Sequence, residues 1–125
     1  NEDFPYLLKT KSIKDTIDCT YVKGFTNEDF KKILFYESIE YKINKIKIII
    51  NNKKIIVNFF ELIKKNKTKI KWTFENWKIN FEKLSCIAAN NWMSLFNSYK
   101  NNPEKAEFYW QGMIKRAKDQ LRNKN

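Results

Sequence analysis

The chain contains no histidine. Ser–His and Cys–His nucleophilic catalysis are therefore excluded, and so is the commonest zinc ligand. Glycine is limited to Gly24 and Gly112, too few for a loop that cradles phosphates. Proline is limited to Pro5 and Pro103. A sandwich or barrel with many tight turns needs more of both residues, so long elements and a mainly α fold are expected. Cys19 and Cys86 are the only cysteines, and two cannot make a Cys₄ site. They either pair, as in a secreted protein, or stand apart as partly buried thiols. No run of about 18 apolar residues is present, so no membrane-spanning helix is expected. Carboxylates recur at i,i+3 in Glu37/Glu40 and Glu104/Glu107. With no other catalytic group beside them, they read as solvated helix faces. An enzyme is not expected, nor is any cofactor or metal.

Lysine, asparagine and isoleucine dominate, while arginine occurs only as Arg116 and Arg122. That bias is the mark of an AT-rich genome. The net charge of +11 is unevenly distributed. Residues 42–71 hold ten lysines against Glu61 alone, whereas residues 1–41 have a small acidic excess. Such a belt attracts an acidic protein segment, an anionic membrane surface or nucleic acid. It also reads simply as a solvated lysine surface. At 125 residues the chain is long enough for one domain with one core. It opens on Asn1-Glu2-Asp3, without Met or a signal-peptide pattern, which reads as a fragment whose targeting signals lie elsewhere.

Along the chain, Phe4, Tyr6, Leu7, Leu8, Ile13, Ile17 and Val22 are candidates to lie on the core, with a short helix over 12–19. Thr26 and Asp29 match a capping box, and Phe25 and Phe30 fall where a hydrophobic staple would. They open a helix over 27–42. Residues 45–60 fit two patterns. Ile46, Ile48, Ile50, Ile55, Val57 and Phe59 suit a hairpin turning at Asn51-Asn52, whereas Ile56, Phe59, Phe60 and Ile63 suit a helix. The expected outcome is a short hairpin at 45–58, or an extended segment there, and then a helix over 57–65.

The longest signal is apolar residues at 70, 74, 77, 81, 84, 88, 92 and 95, the period of one buried helical stripe over 70–99. Asn102 is an N-cap and Pro103 an N1 residue for a final helix over 103–122. Ala106, Tyr109, Trp110, Met113, Ile114, Ala117 and Leu121 form its stripe. Gly112 within it implies close approach of a neighbouring helix. Residues 123–125 should fray. Trp77, Trp92 and Trp110 fall on the stripes and read as core. Trp72 lies off the cleanest stripe beside Lys71, where it suits a binding surface. With Phe74 it could also enter a membrane interface or stack on bases.

The spacing of Phe74, Trp77, Phe81, Leu84, Trp92, Met93 and Phe96 resembles the helical domains of malaria-parasite exported proteins, in particular the Plasmodium helical interspersed subtelomeric family. The resemblance spans residues 74–100. The isoleucine-rich segment and the Asn102-Pro103 helix fall outside it. A second resemblance is to the parasite tryptophan-rich antigens, which usually carry more tryptophans at shorter spacing. The first implies an all-helical adaptor exported to the host erythrocyte, binding the acidic cytoplasmic segment of a surface adhesin or the membrane skeleton. The second implies binding to a red-cell surface component or lipid.

The expected protein is thus a small helical bundle, with a long tryptophan-bearing helix packed on a capped C-terminal helix. It docks an acidic segment through Lys53, Lys54, Lys64, Lys65, Lys67, Lys69, Lys71 and Trp72, with an aromatic groove between the last two helices adding affinity. Anionic lipid is the alternative partner. Nucleic acid ranks third, because arginine is scarce and no reading motif is present.

Overall fold

The computed structural model describes residues 6–7, 10–64 and 72–123. The elements run α1 (Asn27–Glu37), β1 (Tyr41–Ile50), β2 (Lys53–Leu62), α2 (Phe74–Asn80), α3 (Glu82–Met93), α4 (Phe96–Tyr99), α5 (Pro103–Glu107) and α6 (Trp110–Arg122). A mainly α bundle is therefore not what the chain forms: six helices accompany a two-stranded antiparallel sheet among the described residues. The hairpin also departs from the all-helical domain that the family resemblance implies.

Helix α1 starts where the capping box places it. The Thr26 hydroxyl accepts from the Asp29 backbone N–H, and the Asp29 carboxylate accepts from the Thr26 N–H and hydroxyl. Those bonds hold the Asp29 carboxyl below its ordinary value. The helix stops at Glu37, short of residue 42, because Ser38 takes φ 62° and turns the chain into β1.

The hairpin is longer than expected and fully β. Asn51 and Asn52, the two turn residues, both have positive φ (47° and 63°), the signature of a type I′ turn that matches strand twist. β-Branched residues on both sides extend the pairing to Tyr41↔Leu62. The helix expected over 57–65 does not form: residues 57–62 belong to β2. Pairing with β1 along all ten residues outweighs the short helical match.

The helix expected over 70–99 is broken into α2, α3 and α4; its first two residues lie outside the described residues. Local polar competition explains both breaks. The Asn80 amide donates back to the Asn76 carbonyl and side-chain oxygen, and Phe81 leaves the helical region at φ −129°. Ser94 Oγ donates to the Asn91 carbonyl at 2.6 Å, and the next turn tightens to Leu95 N–H→Trp92 O. The final helix is capped by Asn102 with Pro103 at N1, as expected, but divides into α5 and α6 at Phe108-Tyr109.

Helix α3 is the hub, packing on α1, α2 and α6. The core consists of Phe35, Ala88, Trp92, Phe96, Ala106, Met113 and Ala117. Phe35 stacks on Trp92 with centroids 5.0 Å apart and meets Phe96 edge-on at 5.6 Å. Trp92 meets Trp110 edge-on at 5.7 Å. Its indole N–H donates to the Phe35 carbonyl at 3.0 Å. That carbonyl belongs to the last turn of α1, where helical acceptors lose their own donors, so one side chain fills the core and caps a neighbouring helix.

The N-terminal segment contributes nothing comparable. No helix forms over 12–19, and Leu7, Ile13, Ile17 and Val22 are exposed, whereas Tyr6 is half-buried. Phe4 and Leu8 lie outside the described residues. Cys19 and Cys86 are free and exposed rather than partly buried. Among the described residues nothing lies within 4 Å of where a Cβ on Gly112 would stand, so none of the described helices approaches it closely.

Candidate functional site

The register of the hairpin assigns each residue to a face. Ile46 pairs with Val57 and Ile48 with Ile55; with Ile50 and Phe59 they share one face. On the opposite face Lys45 pairs with Asn58, Lys47 with Ile56, and Lys54 with Ile49. The first face is aliphatic in its middle, with Lys53 near the turn and Lys42, Asn44 and Glu61 at its base; the other carries Lys45, Lys47 and Lys54, all exposed, among Ile43, Ile49, Ile56 and Phe60. Among the described residues each strand pairs only with the other, which leaves both outer edges unpaired there. Neither strand packs extensively on a helix among the described residues. Near the base, Lys42 Nζ reaches Glu61 Oε2 at 3.7 Å across the strands, and Asn44 donates to the same oxygen at 2.6 Å. Lys42 remains mostly solvated, so its ion pair adds little stability.

The lysines expected to act together are not one cluster. Lys53 and Lys54 follow the turn at the tip and, being successive strand residues, point to opposite faces. Lys64 follows the end of β2, ten residues from the tip and roughly 30 Å away along the ribbon. Lys65, Lys67, Lys69 and Lys71 lie outside the described residues. Trp72 is 38% exposed just before α2, the surface-facing setting expected of it. The aromatic groove expected between the last helices is instead largely filled: Trp92 is 3% exposed, and Trp110 packs against it. Lys45 and Lys47 lay within the basic belt but not in the chosen set. The Lys/Ile alternation of residues 45–48 was the signal that could have found them.

A second concave feature was missed. A cleft of ≈ 300 Å³ lies where the end of α1 meets β1, α3, α5 and α6. Tyr36, Glu37 and Ser38 line it from α1 and its cap, Glu40 from the turn before β1, and Tyr41 from the start of β1. Ser85, Ala89 and Trp92 of α3, Glu107 of α5 and Trp110 of α6 close it. Three carboxylates thus line one cleft, and no lining residue is Lys or Arg. The Ser38 hydroxyl donates to the Glu107 carboxylate. Burial pushes the Glu37 carboxyl above its ordinary value. Burial, and then the charge of Glu40, do the same to Glu107. Tyr36 and Tyr41 are likewise raised, first by burial and then by Glu37. The solvated-face expectation fails for Glu37 and Glu107, which are half-buried, and holds for the exposed Glu104. Their spacing in sequence carried no hint, since Glu107 reaches the site from 70 residues beyond Glu37.

Among the described residues, no three acidic or cysteine side chains converge tightly enough to hold a metal ion. No helix there is long and apolar enough to cross a membrane. No family model, curated protein or solved structure matches this chain.

Proposed function

We propose that this chain is a non-enzymatic interaction domain whose hairpin docks an acidic protein segment. The observation that carries the proposal is the ribbon itself: five lysines against Glu61, on strands whose outer edges have no pairing partner among the described residues. An extended acidic peptide can add to such an edge through main-chain hydrogen bonds. On the β1 edge its carboxylates then alternate into register with Lys45 and Lys47, and Lys54 stands one strand further across the same face. On the motif resemblance alone, we further propose the infected red cell as the setting. The partner there is an acidic cytoplasmic segment or a membrane-skeleton protein.

The test is titration of a Glu/Asp-rich peptide into the protein at low and high salt, with charge reversal at Lys45, Lys47 and Lys54. Binding that weakens about tenfold on reversal, and again as salt shortens the Debye length from about 10 Å to about 3 Å, supports the proposal. Affinity unchanged by both perturbations sinks it. Flotation with vesicles containing anionic lipid covers the alternative. Lysine-dependent flotation without peptide binding assigns the ribbon to a membrane surface instead.

A further inference from the structure

We propose that the cleft at the end of α1 binds an organic cation of side-chain size, an alkylammonium or guanidinium group. Its position is electrostatically one-sided in a chain of net charge +11. Helix α1 ends there with no basic residue in its last turn, so the negative end of its dipole is uncompensated by its own side chains. Glu37, Glu40 and Glu107 add three carboxylates, and none of them makes an ion pair among the described residues. The walls are aromatic, with Tyr36, Tyr41 and Trp110 offering π surface. Carboxylates beside aromatic rings are the chemistry that recognises ammonium and guanidinium groups.

Size and spacing narrow the occupant. At ≈ 300 Å³ the cleft sits at the small end of ligand pockets, enough for a lysine or arginine side chain. The carboxylates do not converge as a metal ion demands, so the charge has to be spread over a larger group. Desolvation of Glu37 and Glu107 costs free energy, and a bound cation would offset it.

The experiment follows the indole N–H resonances of Trp92 and Trp110 in labelled protein. The probes are N-acetylarginine amide, N-acetyllysine amide and the neutral N-acetylcitrulline amide. Saturable shifts with at least one cationic probe, absent with citrulline, are expected. The Glu37→Gln/Glu107→Gln variant should weaken that binding by about tenfold or more. The exchange keeps side-chain shape and removes two desolvated charges, so folding should survive; Glu40→Gln at the exposed lip gives a second, independent reading. An arginine-bearing hexapeptide run in parallel separates the two sources of the cation. Tighter glutamate-dependent binding of the peptide indicates a peptide-borne side chain, and equal binding indicates a free amine. Equal shifts from citrulline, no shift from any probe, or affinity within about twofold in both glutamine variants overturns the proposal.

Discussion

Replacing Trp92 with phenylalanine isolates the double role of this side chain. Phenylalanine retains a ring to stack on Phe35 but has no N–H. The Phe35 carbonyl then loses its donor at a site where Phe35 and Trp92 are each 3% exposed. Leaving a buried acceptor without a partner costs about 1–3 kcal/mol. The smaller ring also loses packing against Phe96 and Trp110, which adds about 1 kcal/mol. The expected destabilisation is thus about 2–4 kcal/mol, a large part of a total stability of roughly 5–15 kcal/mol. For 125 residues, the unfolding entropy translates each kcal/mol into about 4 °C, so Tm should fall by about 8–15 °C. The assay is thermal unfolding followed by far-UV circular dichroism, because the substitution removes a fluorophore. Trp72→Phe is the control, expected within about 0.5 kcal/mol at its exposed site. A Trp92→Phe loss below about 1 kcal/mol, or one no larger than that of Trp72→Phe, would refute the assignment of Trp92 as both core and cap.

Other expectations follow from single positions. Gly112→Ala adds a Cβ into open space inside α6 and should stabilise by about 0.5–1 kcal/mol, measured by urea unfolding; destabilisation would mean an unseen neighbour. Asn52→Gly should preserve or slightly raise stability, because φ 63° costs glycine nothing. Asn52→Val should weaken the hairpin by about 1 kcal/mol or more, visible in amide exchange across β1–β2. The raised carboxyls of Glu37 and Glu107 give a pH signature. The folded state takes up protons before the unfolded one, so their penalty is fully present at neutral pH. It is relieved as pH falls through the folded values toward the ordinary 4.5, and Tm should rise over that interval. The Glu37→Gln/Glu107→Gln variant should be flatter there, and an unaltered slope would contradict the burial assigned to these groups. Asp29 acts in the opposite sense, its capping contribution being lost as pH falls below the ordinary 3.8 toward the lowered folded value.

Features that depend on a few adjacent residues were legible in the sequence. The Thr26/Asp29 box, the Asn102-Pro103 start and the Asn51-Asn52 turn form as their chemistry requires. The core assignment of Trp92 was legible too, because stripes at helical period converge on it. Continuity was not. The apolar period through residues 74–95 is unbroken, yet side-chain bonds from Asn80 and Ser94 to nearby carbonyls divide the helix without disturbing the pattern. The strand over 53–62 competed with a plausible helical match and was decided by pairing with β1, a non-local contact. The acidic cleft was invisible for the same reason. Glu107 meets Ser38 only after α5 folds back against the end of α1.

The hairpin has a further consequence for solubility. Residues 46–50 and 55–60 are aliphatic or aromatic except for Lys47 and Asn58, and they lie on strands whose outer edges pair with no other described residue. Windows of this kind readily stack into cross-β assemblies. Lys45, Lys47, Lys53 and Lys54 are spaced so that an in-register neighbouring copy would set like charges against one another along the seam. The lysines thus act as gatekeepers against fibre growth, a protection that weakens as added salt screens their mutual repulsion.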